Sequence, residues 1–289
     1  VKPSEMSNDA PADETRIFHG VDVSVAQGHF NHGEIVDRLN LEWALVKSGE
    51  GNEGRVDKNY RVNIAGFLTT GIAVGTYIVP WLLPITGEAH REPANQIKAF
   101  WEASDGVGTR PGELPPMLDL EYPFQHEWPK FKCNPKQIIE CMRICCLEAE
   151  QLWQRTPMIY SFPSWWNSVI VGGDIEWARR FPLVVANYQN KGTETLDFPP
   201  AFRPVGLHPW GKGRHTMHQW SGDDGVPVKG IGVVDRNVFI GTTDDFLRLC
   251  NRDPDGRVRA EIRALRDAGR ESAITTIVEG VALGRKVPE

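Results

Sequence analysis

The residues most able to do chemistry lie in Pro115–Tyr122, PPMLDLEY, where Asp119 and Glu121 stand two apart at the end of an apolar run. A strand alternates its side chains with period two, so both carboxylates would share one face. Two acids on one buried face repel each other's charge. That raises the pKa of at least one of them, as a general acid working near neutral pH requires. A lone D-x-E pair also occurs on exposed strands as a solvated face, so the apolar run before it is what sharpens the reading. Asp22 in GVDVS and Asp235 in GVVDRN have similar settings among Val and Ile. An acid there is costly unless it is paired or functional, and structural hydrogen bonding is the competing account for each. Three strand-end acid sites converging on one mouth are harder to explain structurally.

No metal or cofactor is expected. His215 and His218 are three apart and would face opposite sides of a strand, and His19 reads as a structural histidine. The chain has no G-x-S-x-G, Gly-rich phosphate loop or H-E-x-x-H.

Positioning these acids calls for a repeated strand-and-helix framework. Strands are predicted at Ile17–Val25, Trp43–Lys47, Ile72–Val79, Pro116–Leu120, Met158–Ser161, Leu183–Asn187, Thr216–Trp220 and Val234–Val238. Helices are predicted at Tyr60–Thr70, Glu88–Ser104 and Pro135–Gln154. The alternation suggests parallel βαβ units, and eight such units would close a barrel of roughly 250 residues. The later units lack clear helices, so the barrel is irregular. Residues 189–215, rich in Gly, Pro and Lys, read as a long loop over one mouth. The fold class expected is α/β, an irregular TIM-like (β/α) barrel with a C-terminal helical extension. Its parts are a flexible leader over 1–15, the barrel over 16–247 and the extension over 248–289.

The 289 residues are 40% hydrophobic and 24% charged, with a net charge of −6. This is ordinary globular composition. The acidic balance argues against generic nucleic-acid binding. No apolar run reaches the roughly 20 residues of a membrane span, so no integral membrane segment is expected. The five cysteines form no regular framework and read as reduced, mostly buried thiols, which points to synthesis in a reducing compartment. Residues 1–15 are polar, with no apolar core of a signal peptide. The last stretch carries more Arg and Lys than Asp and Glu, with apolar residues at helical spacing. It reads as a helical appendage packed on the barrel or as a segment for self-association or envelope contact.

Several short motifs, in order, resemble glycoside hydrolase family 25, the N-acetylmuramidase lysozymes that include many phage endolysins. Gly20–Ser24 with Gln27-Gly28 is similar to the family's opening. Lys47–Gly51 (KSGEG) resembles its Lys-[Ala/Ser]-Thr-Glu-Gly strand end, and Asp57–Tyr60 with Asn63 its D-x-x-Y-x-x-N helix start. Gly75–Tyr77, Leu118–Glu121, Ile159–Ser161, Val185–Tyr188, Gln219–Ser221 and Val233–Val238 match later blocks. The resemblance covers about residues 17–247. Two positions depart from it: Ile78-Val79 stand where His-Phe is usual, near one subsite, and Gly49 stands where threonine is usual. Residues 80–115 and 189–215 are longer than the family pattern.

The resemblance implies a muramidase cutting the β-1,4 bond between N-acetylmuramic acid and N-acetylglucosamine in bacterial peptidoglycan. Glu121 would be the general acid and Asp119 would stabilise the oxocarbenium-like transition state. Asp22 and Asp235 would tune that pair and hydrogen-bond the sugar or Glu121. Tyr77, Tyr160 and Tyr188 would stabilise the substrate's acetamido group through their hydroxyls. Glu50 and Gln219 would contact substrate, and Trp81 and Trp220, each after a strand end, would stack on sugar rings. Both a retaining route assisted by the acetamido oxygen and an inverting, water-activating route remain open. The reducing-compartment thiols and polar leader suit a phage lysin made in the host bacterial cytoplasm, acting on the wall at lysis or as part of a virion. A chitinase-like barrel would show D-x-x-D-x-D-x-E, and Met117 stands where its penultimate acid belongs. The alternative is a non-catalytic wall-binding or phage structural protein on a hydrolase-like barrel.

Overall fold

The computed structural model of the chain describes residues 14–51, 55–83, 92–188, 206–222 and 225–250. Eight strands form its centre: β1 (Arg16–Val23), β2 (Leu41–Glu50), β3 (Ala73–Val79), β4 (Met117–Asp119), β5 (Met158–Ser161), β6 (Leu183–Ala186), β7 (Met217–Ser221) and β8 (Asp235–Gly241). Each pairs with the next in sequence order, and β8 returns to pair with β1, so the sheet closes into a barrel. Six consecutive pairings, from β1–β2 to β6–β7, are parallel. The seam is different: β8 runs antiparallel to both β7 and β1. The expectation of parallel units throughout is therefore corrected at the last strand. The short β7–β8 connection, from Gly222 to Val234, contains no crossover helix among its described residues, and a parallel neighbour needs a crossover.

Helices cover the first part of the barrel: α1 (His32–Leu39), α2 (Tyr60–Leu68), α3 (Pro93–Ala103), α4 (Pro135–Trp153) and α5 (Pro163–Val169). The longest, α4, starts at a capping box in which Asn134 and Gln137 satisfy each other's backbone N–H groups, with Pro135 in the first turn. Its Ile138, Cys141, Met142, Cys145, Ala149 and Trp153 are buried at three- and four-residue spacing. The cysteines are thus small apolar core groups on one helix face, and all five in the chain are unpaired thiols. In α2 the D-x-x-Y-x-x-N motif has a local explanation. Asp57 accepts from the backbone N–H groups of Val25 and Asn59, tying the end of β1 to the start of the helix. None of the described helices is long and apolar enough to cross a membrane.

Residues inside the barrel follow the strand alternation. Phe18, Trp43, Ala73, Met158, Val184, Met217 and Phe239 belong to the apolar cluster at its centre. Gly20 lies on the same face of β1 as Phe18, and a Cβ there would meet the Trp43 ring at 2.1 Å. The bare glycine is what lets that indole fill the lumen. Gly49 has a similar reason, since a Cβ would lie 2.4 Å from the Arg55 carbonyl oxygen and 2.7 Å from Phe100. Threonine cannot be accommodated there without displacing backbone.

One expected boundary shifts. A last helix, α6 (Thr243–Leu249), straddles the boundary placed at 247/248. Its Phe246 stacks on Phe18 with ring centroids 4.5 Å apart, and the following Cys250 is fully buried. The barrel domain therefore includes this helix. The expected extension beyond it, 251–289, lies outside the described residues, as do 1–13 of the leader. Of the loop expected over 189–215, residues 189–205 are likewise outside them. Its described end is a small hairpin, Gly206–Leu207 against Gly211–Lys212. Leu207 and Trp210 sink into the core shared with α4 and α5, so this part is anchored on the flank of the barrel.

Candidate active site

At the C-terminal end of the parallel strands the lumen changes from apolar to polar. One more step of two residues along each strand replaces the hydrophobic layer with Asp22 on β1, Lys47 on β2, Tyr77 on β3, Asp119 on β4, Tyr160 on β5 and Gln219 on β7. These side chains line a cavity of about 360 Å³, together with Glu50, Val79, Trp81, Met117, Glu121, Tyr122, Phe124, Tyr188 and Asp235. Catalytic groups of (β/α) barrels gather at this mouth. Asp235 joins them only because β8 is antiparallel: the first residue of that strand then lies opposite Asp22 in register. A parallel β8 would carry it to the other mouth.

Asp22 is the centre of a hydrogen-bond network. Its Oδ2 accepts from Gln219 Nε2 and from Asn237 Nδ2, each at 2.8 Å. Gln219 Oε1 in turn accepts the hydroxyls of Tyr160 and Tyr188, each at 2.8 Å. Burial pushes the Asp22 carboxyl above its ordinary pKa, while the Asn237 and Gln219 amides, Asp235 and the Lys47 charge oppose that rise. Asp119 is pushed up further. Its burial is the main cause, the neighbouring Glu121 charge adds to it, and Lys47 offsets only part. Lys47, the one cation lining the cavity among the described residues, is itself paired with Glu50. Asp119 Oδ1 is fully covered and has no hydrogen-bond partner among the described residues. Such an oxygen is expensive to keep ionised. The phenols of Tyr77 and Tyr160 are held well above their usual range, by burial first and then by the surrounding carboxylates. The tyrosines therefore stay protonated.

An aromatic wall bounds the other side. The Trp81 backbone N–H and carbonyl are both held by the Gln96 amide at 2.9 Å. Its indole lies over Gly51, whose φ of +78° suits glycine and whose added Cβ would sit 3.2 Å from the ring. Tyr122 packs against Trp81 at 5.0 Å between centroids, and Phe124 against Tyr122 at 6.0 Å. Apolar rings beside a cluster of acids and hydroxyls suit a sugar, which has apolar faces and polar edges.

The structure brings Glu121, Asp119, Asp22, Asp235, Tyr77, Tyr160, Tyr188, Trp81, Gln219 and Glu50 to this one cavity. Trp220 is the exception and is corrected. It follows Gln219 on β7, so it points to the other side of the strand, buried with the Arg236 guanidinium 4.3 Å over its ring. It does not line the cavity. The expected separation of His215 and His218 also fails: their rings pack edge to face at 5.7 Å. His215 precedes β7, which begins at Met217, so strand alternation does not govern it. Residues not anticipated at the site are Lys47, Met117, Tyr122, Phe124 and Asn237. The period-two rule that paired Asp119 with Glu121 would have found three of them, since Met117 precedes Asp119 by two, Asn237 follows Asp235 by two, and Lys47 follows Leu45. Tyr122 and Phe124 are placed by a loop and carry no periodic signal.

No curated protein sequence matches the chain. Solved structures do match in fold. A bacterial lysozyme from Streptomyces coelicolor is 23% identical, over 81% of this chain and 97% of that one, with a TM-score of 0.61. A family 25 lysozyme from Aspergillus fumigatus is 22% identical, over 81% and 99%, with a TM-score of 0.62. The catalytic domain of endolysin ply40 from bacteriophage P40 of Listeria monocytogenes is 16% identical, over 82% and 98%, with a TM-score of 0.56. At these identities the likeness concerns the barrel. The sequence profile of glycosyl hydrolases family 25 matches residues 21–229, a span that runs from the first strand past the seventh and contains Asp22, Asp119 and Glu121. By that match across most of its length, the chain belongs to the glycosyl hydrolases of family 25.

Proposed function

We propose that the protein is an N-acetylmuramidase, hydrolysing the β-1,4 bond between N-acetylmuramic acid and N-acetylglucosamine in bacterial peptidoglycan. The observation that carries this reading is the meeting of four carboxylates, Asp22, Asp119, Glu121 and Asp235, in one cavity with an aromatic wall. Paired carboxylates flanking a scissile bond are the usual equipment of glycoside hydrolysis. Glu121, just beyond the end of β4, protonates the glycosidic oxygen. Asp119 faces the positive charge that develops at the anomeric carbon, and Asp22 and Asp235 hold the field around it. Trp81 and Tyr122 offer ring faces to the adjoining sugar. The lysozymes among the structural neighbours support the same substrate class.

A phage lysin, made in the host bacterial cytoplasm and reaching the wall at lysis, is the biological setting we favour. The endolysin among the neighbours and the five unpaired cysteines support it. The test is digestion of purified peptidoglycan, with reducing ends identified by borohydride reduction and mass spectrometry, and Glu121→Gln run in parallel. Reduced N-acetylmuramic acid ends that vanish in the variant are expected. Reduced N-acetylglucosamine ends would instead make the enzyme a glucosaminidase. No new ends, from a variant and a parent that both bind the wall, would favour a binding protein.

A further inference from the structure

We propose that a second pocket, on the flank of the barrel away from the catalytic mouth, binds a phosphate group through Arg179, Arg180 and Arg214. The pocket has a volume of about 310 Å³ and lies where β6 and β7 begin, against the hairpin that carries Trp210. The catalytic cavity lies at the opposite ends of the same strands. Leu183 lines the one and Tyr188 the other, five residues or roughly 16 Å of extended chain further on. The two sites also differ in charge. Five carboxylates and one cation, Lys47, are among the residues lining the catalytic cavity. The charged residues lining this pocket are three arginines, with no acid among them. In a chain with 38 acids against 32 Lys and Arg, that lining reverses the average.

Two of the guanidinium groups are held by partners behind them. Arg180 is forked onto the Glu150 carboxylate and lies 4.3 Å over the Phe181 ring. Arg179 donates from Nε and from a terminal nitrogen to Glu176, at 3.0 and 2.8 Å. Each pairing uses two of the five N–H groups of a guanidinium, so three remain on each for a ligand. Arg214 makes no side-chain hydrogen bond or ion pair among the described residues. Beneath these groups Phe181, Leu183 and Trp210 are buried and form an apolar floor. Trp210 is fixed there, since its indole N–H donates to the Phe181 carbonyl at 2.8 Å and its ring packs on Trp166 at 5.1 Å. Several guanidinium forks match the tetrahedral array of phosphate oxygens, each of which accepts more than one N–H. A carboxylate presents one planar edge and is served by a single fork, leaving the other arginines unmatched. The apolar floor suits the carbons of an ester joined to the phosphate. Where the enzyme works on a cell wall, a polyol phosphate polymer bound here gives it a second point of attachment. The site itself does not depend on the muramidase reading, because its occupancy is measured directly.

The test is calorimetry on the full chain with two probes, sodium phosphate and poly(glycerol phosphate), at low ionic strength. Both should bind, and more weakly as salt is raised. Arg214→Gln is the first variant, since nothing in the described structure depends on that side chain. It should weaken binding about tenfold, and adding Arg179→Gln should bring the loss to about a hundredfold. Arg180 is left in place, because its loss would strand Glu150. Lys136→Gln is the control, an exposed cation in the first turn of α4, fourteen residues from Glu150 or roughly 21 Å along the helix. It should leave binding unchanged, and all variants should melt within about 2 °C of the parent. Tighter binding of the polymer than of the free ion, compared per phosphate, supports the site with a wall polymer as its source, and equal binding supports it with the free ion. The proposal is overturned if neither probe binds, if Lys136→Gln weakens binding as much as Arg214→Gln, if sodium acetate binds as tightly as phosphate, or if a single-stranded oligonucleotide outcompetes the polyol polymer.

Discussion

Replacing Asp119 by asparagine should make the protein more stable and nearly inactive. Asp119 is 8% exposed and its Oδ1 has no hydrogen-bond partner among the described residues, so the amide gives up little. What it removes is a buried charge, whose desolvation is the first cause of the raised pKa and which also repels Glu121 whenever that carboxyl is ionised. Residues two apart on a strand are separated by roughly 6.6 Å, and two unit charges at that distance repel by about 2.5 kcal/mol at an effective dielectric of about 20. Proton uptake caps the penalty. Neutralising a carboxyl with an unfolded-state pKa of about 3.9 costs about 1.5 kcal/mol at pH 5 and about 4 kcal/mol at pH 7. The Coulomb figure therefore governs near neutrality, and a gain of about 2–3 kcal/mol is expected there. The sign follows from the raised pKa of the folded state. Such a group contributes stability that is fully present below its unfolded pKa and is lost as pH rises through the folded one. The advantage of Asp119→Asn should thus be near zero below pH 4 and widen upward. For a domain of this size it corresponds to a rise in Tm of about 5–10 °C at pH 7. Calorimetric scans of both proteins at pH 4, 5.5 and 7 read this directly, and wall-digestion rates should fall about 10²–10³-fold. A variant that melts at or below the parent's temperature at pH 7, or a gap that does not widen with pH, would refute the reasoning.

Gly222→Ala should damage activity while sparing the fold. The new Cβ would lie 2.3 Å from Tyr188 Oη and 2.8 Å from Asp235 Oδ1, both ends of side chains that can move. A displacement on that scale predicts a loss in kcat/KM of about tenfold to a hundredfold with Tm within about 3 °C of the parent, and unchanged kinetics would count against this placement of Tyr188. His218 gives an acid-side prediction. It is buried, with Nε2–H donating to the Asn187 carbonyl, and burial lowers its pKa to about 4. Because the unfolded histidine takes up its proton near pH 6.5, this site should cost about 3 kcal/mol of stability as pH falls from 6.5 to 4. Urea midpoints at pH 7 and 4.5 should therefore shift less in His218→Gln than in the parent, and identical shifts would show that the histidine is not held neutral.

Most barrel strands were legible because each combines a short apolar run with turn residues at its ends. Met158–Ser161 is predicted and observed over the same residues, and α4 to within one residue. Helix starts and caps are local, and so are visible in sequence. The direction of β8 was not, since VVDRNV reads the same in either orientation and only pairing with both β1 and β7 decides it. Trp220 shows the opposite failing. Its aromatic character suggested a sugar platform, but one step of strand alternation from Gln219 sends it away from the cavity.

The four acids, their strand-end positions and the pairing of Asp119 with Glu121 follow from residue type and period two, which act within a few residues. Their convergence does not. Closure of the sheet sets Asp22 opposite Asp235, though they stand 213 positions apart in the chain. It also gathers Gln219, Asn237 and Tyr160 from three strands, and Tyr188 from just beyond the end of a fourth, into one hydrogen-bond network. Hydrogen bonds act over about 3 Å, and charge in a low-dielectric lumen over little more than the cavity's width. The protonation and polarity of this site therefore depend on distances that exist only once the barrel has closed.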